Sequence, residues 1–362
     1  MIHRAYQLVR GCIPIIRYFL IAIAIPAAVS AQEGRIAENL VHSIALEGNL
    51  LDDPSDRSVL VYLPPNYDLV DHHYPVLYLL HRNFGFNTLW TGGYIQGMDI
   101  KASMDSLILA GVIREMILVL PDVHNRYRGS HYVNSSTTGN WADFITRDLV
   151  QYIDSTYRTI RHSNSRGLSG HSMGGRGTLY LAMSYPGIFG AIYGLSSGEM
   201  DFSETIQPPE NPEWWSTLLT LKDISQAERS MVRMIGLAAA FTPNPNRPPF
   251  YADFQYELVE GQVKPVPDVW RKWLDYDPVA LVPSRKANLC QLRGFKFDCG
   301  SSDQLVITNN RSFARALTEV GIPFEFEEYD GNHVNRIRER IETRVLPFFS
   351  EILEFIPPTI EE

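Results

Sequence analysis

One short stretch of the sequence carries the residue types needed for nucleophilic catalysis by a serine. Gly170-His171-Ser172-Met173-Gly174 matches the pattern G-x-S-x-G, in which a serine stands between two glycines. Residues 165–169 before it predict a strand, and residues 175–184 after it predict a helix. A strand, a sharp turn and a helix would hold Ser172 at an exposed elbow, where it could act as a nucleophile. The backbone amide of Met173 would then point at an oxyanion formed on the substrate.

A serine is a weak nucleophile until a base removes its proton, so a histidine and an acid must lie nearby in space. In this arrangement the three residues follow one another along the chain as serine, acid and histidine. Asp303 follows a predicted strand at residues 294–298, and His333 follows a predicted last strand at residues 324–329. We therefore predict His333 as general base and acid and Asp303 as the carboxylate that orients its ring.

Three other titratable residues compete for these roles. Asp298 ends the strand that precedes Asp303, a position that favours a side chain buried against the sheet. Asp201 follows an earlier strand and is the weaker alternative. His171 adjoins the nucleophile, but neighbouring residues on a tight elbow point apart, so we expect it to line the substrate pocket rather than act as the base.

Short apolar runs alternate with longer amphipathic segments along most of the chain. The strongest strand signals are at residues 57–63, 75–80, 116–120, 165–169, 191–196, 294–298 and 324–329. The helical signals are at residues 99–110, 141–157, 175–184 and 309–320. Such alternation predicts an α/β protein with a mostly parallel sheet that is covered by helices on both faces. Residues 37–63 predict a pair of antiparallel strands at the edge of that sheet.

The region from about 201 to 287 departs from this alternation. It is rich in proline and tryptophan, and its pattern is helical without clear strands. Because it lies between two core strands, we predict an insertion within one domain that spans residues 32–362. It is expected to act as a cap over a substrate cleft, and the alternative is a helical excursion that only stabilises the fold.

Residues 1–31 have the composition of a secretory signal peptide. Three arginines and no acidic residue precede or flank an apolar run at residues 18–28, and Val29-Ser30-Ala31 offers small residues for cleavage before Gln32. The prediction is an exported protein, periplasmic or secreted, without stable membrane insertion after cleavage. The alternative is an uncleaved anchor, although the apolar run is shorter than the roughly 20 residues that span a bilayer.

Charge and cysteine content exclude several classes of function. The chain of 362 residues has a formal net charge of −9 and no basic run, so nucleic acid is not an expected partner and strongly anionic substrates are disfavoured. Cys290 and Cys299 are predicted to be two buried free thiols, and neither has the spacing of a metal site. The oligomeric state stays open.

These features together resemble the putative-esterase family of α/β-hydrolases, which includes S-formylglutathione hydrolases (esterase D), feruloyl and acetylxylan esterases, enterochelin esterases and mycolyltransferases. The resemblance covers roughly residues 59–349. Its most specific stretches are at residues 74–81, 119–122, 129–135, 138–141, 170–175 and 331–333. The resemblance implies the α/β-hydrolase fold and acyl-ester chemistry through an acyl-enzyme on Ser172, without a metal or organic cofactor.

The sequence departs from that family at one loop. The family usually has His-Gly-x-x-Gly there, whereas this chain has His81-Arg82-Asn83-Phe84-Gly85. If the loop keeps its shape, the amide of Asn83 is the second oxyanion donor beside that of Met173. If Arg82 cannot adopt a positive φ that the loop needs, one donor is lost and the enzyme is slow. Arg82 could also lie at the cleft and favour substrates that carry a carboxylate.

The substrate is predicted less sharply than the reaction. Tyr132 and Trp141 lie in the segment that resembles the family's pocket rim, where aromatic walls would suit a sugar ring or a phenolic acyl group. The alternative is that they pack around the elbow. The sequence thus predicts an exported serine carboxylesterase for a small-molecule or carbohydrate ester, with acetyl or feruloyl esters leading. The alternatives are an acyltransferase of the same fold and a binding protein whose catalysis is weakened by Arg82.

Overall fold

The computed structural model describes residues 33–202 and 211–356. The segment predicted as a signal peptide, residues 1–31, lies outside the described residues. Within the described ranges, no helix is both long and apolar enough to cross a membrane.

The described residues form one eight-stranded sheet and two small two-stranded ribbons. The strands are β1 (Arg35–His42), β2 (Asp56–Leu63), β3 (Val76–Leu80), β4 (Ile117–Pro121), β5 (Asn134–Ser135), β6 (Gly139–Asn140), β7 (Arg166–His171), β8 (Ala191–Leu195), β9 (Tyr256–Val259), β10 (Gln262–Pro265), β11 (Gly294–Gly300) and β12 (Glu325–Tyr329). The sheet has the order β1-β2-β4-β3-β7-β8-β11-β12. From β4 to β12 all neighbours are parallel, while β1 and β2 pair antiparallel at one edge, and both arrangements were predicted.

The helices connect these strands and cover the sheet. They are α1 (Ile100–Leu109), α2 (Trp141–Asp143), α3 (Val150–Thr156), α4 (Met173–Ser184), α5 (Pro212–Thr220), α6 (Arg229–Phe241), α7 (Pro267–Trp273), α8 (Pro278–Leu289), α9 (Ile307–Val320), α10 (Ile337–Arg340) and α11 (Leu346–Ile352). The helix predicted at residues 141–157 is not uniform, because a π-helical stretch, Phe144–Leu149, joins α2 to α3.

The two faces of the sheet carry separate apolar cores. Along β3, Val76, Tyr78 and Leu80 belong to the core shared with α3, α4, α8 and α9. Leu77 and Leu79 point the opposite way, into the core shared with α1, α10 and α11. Since successive side chains of a strand alternate between faces, a strand with no polar position must be covered on both sides. The predicted two-sided helical cover is thereby confirmed.

The chain between β8 and α8 forms most of a third apolar core, which is rich in tryptophan and built from α5, α6, α7 and the β9–β10 ribbon together with Leu51, Tyr127 and Val133. The ribbon was not predicted. Glu260 and Gly261 form its two-residue turn, and both have positive φ. A Glu-Gly pair is only a weak sequence signal for such a turn. α8 packs on α4 and α9 in the main core, so the inserted segment ends near residue 277, earlier than expected.

The two cysteines of the described chain differ in environment. Both are free thiols, as predicted. Cys299 on β11 is buried, but Cys290 follows the last residue of α8 and is exposed. The prediction that both are buried is therefore wrong for Cys290, because the end of a surface helix leaves that position open to solvent.

Candidate active site

Ser172 lies at the junction of β7 and α4 with φ 59° and ψ −116°, a conformation that is rare for a residue with a side chain. Backbone hydrogen bonds hold it there: its amide donates to Leu195 O at 2.9 Å, and its carbonyl accepts from Gly198 N at 3.1 Å. The second glycine of the pattern, Gly174, is required by close packing, because a Cβ at that position would lie 2.4 Å from Leu80 O. A strained backbone conformation at a residue with a nucleophilic side chain is typical of catalytic sites.

Two loops bring the predicted histidine and acid to this serine. His333, in the loop after β12, has Nε2 2.9 Å from Ser172 Oγ. Its Nδ1 lies 2.7 Å from Oδ2 of Asp303, which follows β11. The Asp303 carboxylate is fully buried, whereas the side chain of His333 remains 19% exposed. A buried carboxylate, a histidine that reaches the cleft and a serine hydroxyl thus form one hydrogen-bonded chain.

The competing acid Asp298 belongs to a different network. Its Oδ2 accepts hydrogen bonds from Arg340 Nε at 2.8 Å and from the Tyr193 hydroxyl at 2.9 Å. The side chains of Asp298, Tyr193 and Arg340 are all buried. The hydrogen bond between Asp298 and Arg340 therefore connects β11 to α10. Because Nδ1 of His333 is already bonded to Asp303, neither Asp298 nor the buried Asp201 takes the orienting position.

Backbone hydrogen bonds close the loop that departs from the family pattern. Arg82 is not among the residues with positive φ in the described chain, and this conformation falls instead on Phe84, at 58°. Gly85 N donates to Arg82 O at 3.0 Å, and Phe84 N donates to Arg128 O at 2.8 Å. Arg82 therefore replaces a glycine without backbone strain, because the turn does not need φ > 0 at its position.

Two backbone amides are left available at the cleft. Within the described ranges, neither Asn83 N nor Met173 N donates a hydrogen bond to a protein acceptor. Both residues line the same cleft as Ser172, and Met173 is the first residue of α4. The positive end of the helix dipole and two unpaired N–H groups are suited to an oxyanion beside the serine.

His171 is placed differently from the expectation. Its side chain is fully buried, and its Nε2 donates to the backbone carbonyl of His333 at 2.8 Å. Burial, reinforced by the neighbouring His333 ring, holds the pKa of His171 well below its usual range, so the ring is neutral. It supports the His333 loop from behind and does not line the cleft, which corrects the predicted contact with substrate.

Tyr132 and Trp141 are also core residues rather than an aromatic rim. Both are fully buried. The Tyr132 hydroxyl donates to His81 O at 2.8 Å, and Trp141 Nε1 donates to Thr138 O at 2.7 Å. The ring of Tyr132 packs so closely on α4 that a Cβ at Gly177 would lie 2.5 Å from it. The predicted substrate contacts of these two residues are therefore replaced by packing around the elbow.

A cleft of about 450 Å³ lies over Ser172 and His333. Arg82, for which a cleft position was one of the two expectations, lines it. So do Arg229 and Arg233 of α6 and, after β8, Glu199. The two α6 residues were not predicted from the sequence. Their one signal is the spacing of four, which puts both guanidinium groups on one face of a helix.

Metal ligands are not assembled in the described part of the chain, where no group of three or more His, Cys, Asp or Glu side chains could hold an ion. The polar groups of the cleft are thus the serine, the histidine, two amides and a set of charged side chains.

Known proteins are similar to this chain over different shares of its length. A curated esterase of Mycobacterium tuberculosis is 27% identical over 289 residues, which cover 77% of this chain and 52% of the relative. An endo-1,4-beta-xylanase/feruloyl esterase of Xylanibacter ruminicola is 33% identical over 158 residues, covering 41% of this chain and 20% of the relative. This chain thus spans about half the length of the first relative and a fifth of the second.

Solved structures show the same fold. A ferulic acid esterase superposes with a TM-score of 0.61 at 22% identity, over 89% of this chain and 98% of its own. An S-formylglutathione hydrolase from Staphylococcus aureus superposes with a TM-score of 0.58 at 18% identity, over 88% of this chain and 100% of its own. The α/β-hydrolase fold expected from the sequence is confirmed.

The family assignment follows from the extent of one match together with the elbow and the fold. The model of the family described as Putative esterase matches residues 54–337, which include the serine, the acid and the histidine. The chain belongs to the Putative esterase family.

Proposed function

We propose that this protein is a serine carboxylesterase that hydrolyses acyl esters through an acyl-enzyme on Ser172. The observation that carries the proposal is the position of His333, with one ring nitrogen 2.7 Å from Asp303 and the other 2.9 Å from Ser172. The unpaired amides of Asn83 and Met173 beside this chain of hydrogen bonds support the same reaction.

In the first half of the reaction, Ser172 Oγ attacks the ester carbonyl carbon while His333 Nε2 accepts the hydroxyl proton. The carbonyl oxygen becomes an oxyanion, which the amides of Asn83 and Met173 stabilise. Asp303 accepts the hydrogen bond from Nδ1–H and stabilises the imidazolium. His333 then gives its proton to the departing alcohol, and the acyl group stays on Ser172.

In the second half, water takes the place of the alcohol. His333 removes a proton from the water as its oxygen attacks the acyl carbon, and the same two amides hold the oxyanion. Collapse of this intermediate releases the carboxylic acid and returns the proton to Ser172. Water is the only co-reactant that the balance requires.

For the substrate we propose an ester of a carbohydrate, with acetyl and feruloyl groups as the leading acyl parts. A second cavity of about 450 Å³ in the insertion is lined by Trp214, Trp215, Trp270 and Trp273, and it shares Glu199, Arg233 and Leu305 with the cleft. Aromatic walls suit a sugar or phenolic ring. The Xylanibacter ruminicola relative is named as a feruloyl esterase as well as a xylanase, which supports this choice.

Export is part of the same proposal. It rests on the basic, apolar and small-residue order of residues 1–31. Fractionation of cells that express the full chain tests it: the protein should be found outside the cytoplasm with an N-terminus near Gln32.

The esterase proposal is tested with 4-nitrophenyl acetate, butyrate and octanoate, using protein that starts at Gln32. Turnover should fall by about 10⁴-fold or more in Ser172→Ala while the circular dichroism spectrum is unchanged. The acyl chain length profile then measures the depth of the acyl site, and methyl ferulate and acetylated xylan test the substrate. Full activity in Ser172→Ala, or a folded wild type that cleaves no ester, would contradict the proposal.

The same assay separates the two alternatives. An acyltransferase would give more transfer than hydrolysis when an alcohol acceptor is added. A binding protein weakened at Arg82 is the less favoured alternative, because Arg82 does not occupy a positive φ.

A further inference from the structure

The cleft over Ser172 has a charge opposite to that of the whole chain. Arg82, Arg229 and Arg233 line it. The acid that faces them is Glu199, which pairs with Arg233 at 2.9 Å between Nε and Oε1. Two of the three cations are therefore left without a carboxylate partner among the described residues.

Arg82 is the less accessible of these two cations. Its side chain is partly buried, and its Nε is a buried atom with no hydrogen-bond partner in the described chain. Burial, and then the charge of Arg229, lower the pKa of Arg82, as expected where no acid stands beside a guanidinium. A buried donor without an acceptor is costly, so a ligand that supplies the acceptor gains from it.

Arg229 completes the pair from the insertion. Its guanidinium carbon lies 3.9 Å from the centroid of the Phe84 ring, on the loop that also carries Arg82 and Asn83. A guanidinium stacked on a ring keeps its N–H edges free for a second partner. Two guanidinium groups with free donors thus lie beside the loop that carries one of the two oxyanion amides.

The net charge of −9 does not cancel this local field. Surface charges are screened over about 8 Å at physiological ionic strength, whereas groups inside a cleft act on a ligand at contact distance. The expectation that strongly anionic substrates are disfavoured was drawn from the total charge and takes no account of the arginines that line the cleft.

We propose that the ester cleaved at Ser172 carries a carboxylate group, which Arg82 and Arg229 bind. This inference rests on the proposed esterase function and narrows its substrate class. Two sources supply such a group: the acyl part, as in a half-ester of a dicarboxylic acid, or the alcohol part, as in an ester of an acidic sugar. Guanidinium groups hold a carboxylate by paired, charge-assisted hydrogen bonds.

Matched pairs of esters test the inference and separate the two sources. 4-Nitrophenyl hemiglutarate against 4-nitrophenyl valerate probes the acyl side, and 4-acetoxybenzoate against 4-acetoxybenzamide probes the alcohol side. In one of the pairs, kcat/KM for the anionic ester should exceed that for the neutral ester by at least about tenfold. The preference should arise mainly in KM and should decline as salt is added.

Substitutions test whether Arg82 and Arg229 cause the preference for the anionic ester. Arg82→Gln and Arg229→Gln should each bring the ratio of anionic to neutral kcat/KM down towards one. Arg271→Gln removes the same charge from an exposed position of α7 whose partner is Asp268, and the ratio should stay at the wild-type value. Because Arg229 is exposed, its variant gives a readout if Arg82→Gln folds poorly.

The outcomes keep this inference separate from the proposed function. A ratio near one in both pairs, from a wild type that hydrolyses the neutral esters through Ser172, overturns the anionic preference and leaves the esterase intact. Loss of the ratio in Arg271→Gln as well would overturn the assignment to the cleft. A wild type that cleaves none of the four esters overturns the esterase proposal itself.

Discussion

His171 Nε2 donates a hydrogen bond to the backbone carbonyl of His333 at 2.8 Å, so the residue before the nucleophile supports the loop that carries the base. The two rings lie 4.8 Å apart between centroids. Because the burial of His171 keeps it neutral, it does not repel the imidazolium that forms on His333 during the reaction. The elbow thus sets the position of both partners of the proton transfer.

We predict that His171→Leu lowers kcat by about 10- to 100-fold with little change in KM, because the His333 loop loses a fixed contact. His171→Gln should recover much of the loss, since its amide can donate to the same carbonyl. Steady-state kinetics with 4-nitrophenyl butyrate measures both. Equal losses in the two variants, in proportion to their stability, would indicate a role in packing alone.

Asp303→Asn and Asp298→Asn should fail in different ways. The first removes the acceptor of Nδ1–H and should reduce kcat by about 10⁴-fold in a folded protein. The second leaves Arg340 buried without one of its charged partners and should lower the free energy of unfolding by about 3–5 kcal/mol. Kinetics and urea unfolding of both variants check the assignment, and an exchange of the two phenotypes would reverse it.

The oxyanion loop should be sensitive at Gly85 rather than at Arg82. A Cβ at Gly85 would lie 2.8 Å from Arg82 O, so Gly85→Ala must shift the turn that presents the Asn83 amide. We expect kcat to fall by about 10²- to 10³-fold, as for the loss of one oxyanion donor. Arg82→Gly should not raise turnover of a neutral ester, and a large gain would show that arginine strains the loop.

The ion pair between Glu199 and Arg233 should make the free energy of unfolding depend on pH in the acidic range. Burial alone would raise the pKa of Glu199, but the charge of Arg233 outweighs it and lowers the pKa to about 2 from the ordinary 4.5. The Glu199 carboxylate therefore contributes up to about 3 kcal/mol to the free energy of unfolding. This contribution is complete above pH 4.5 and is lost as the pH falls towards 2.

Urea unfolding at pH 6 and pH 3 measures this effect. Glu199→Gln should be less stable than the wild type at pH 6, and the difference should shrink at pH 3. The exposed Glu351→Gln serves as the control, for which the difference should be small at both values. A constant difference for Glu199→Gln would show that its carboxylate does not titrate in this range.

The order of the elements and the chemistry of the site could be predicted for specific reasons. Parallel strands end at one edge of a sheet, so residues that follow β7, β11 and β12 must lie near one another. That rule selected Ser172, Asp303 and His333, which the structure places within hydrogen-bond distance. Composition and periodicity likewise sufficed for a two-sided α/β sheet.

Other features depend on contacts between distant segments, which local sequence patterns do not encode. Asp298 and Asp303 are five residues apart, and only the packing of Arg340 against β11 separates a structural carboxylate from the one that faces His333. Tyr132 and Trp141 have the residue types of a sugar site, yet their burial depends on α4 and the elbow. Side-chain type alone cannot show which face of a chain is covered.

The charge of the cleft is the clearest example of a property that depends on tertiary contacts. Net charge is a sum over the sequence, and it predicted an acidic surface. The field at a reacting ester depends on which groups lie within a few ångströms, and the fold brings Arg229 from the insertion to the loop of Arg82, nearly 150 residues earlier. Residue types and their order along the chain were enough to find the candidate residues for the reaction, whereas contacts between distant segments set what surrounds those residues.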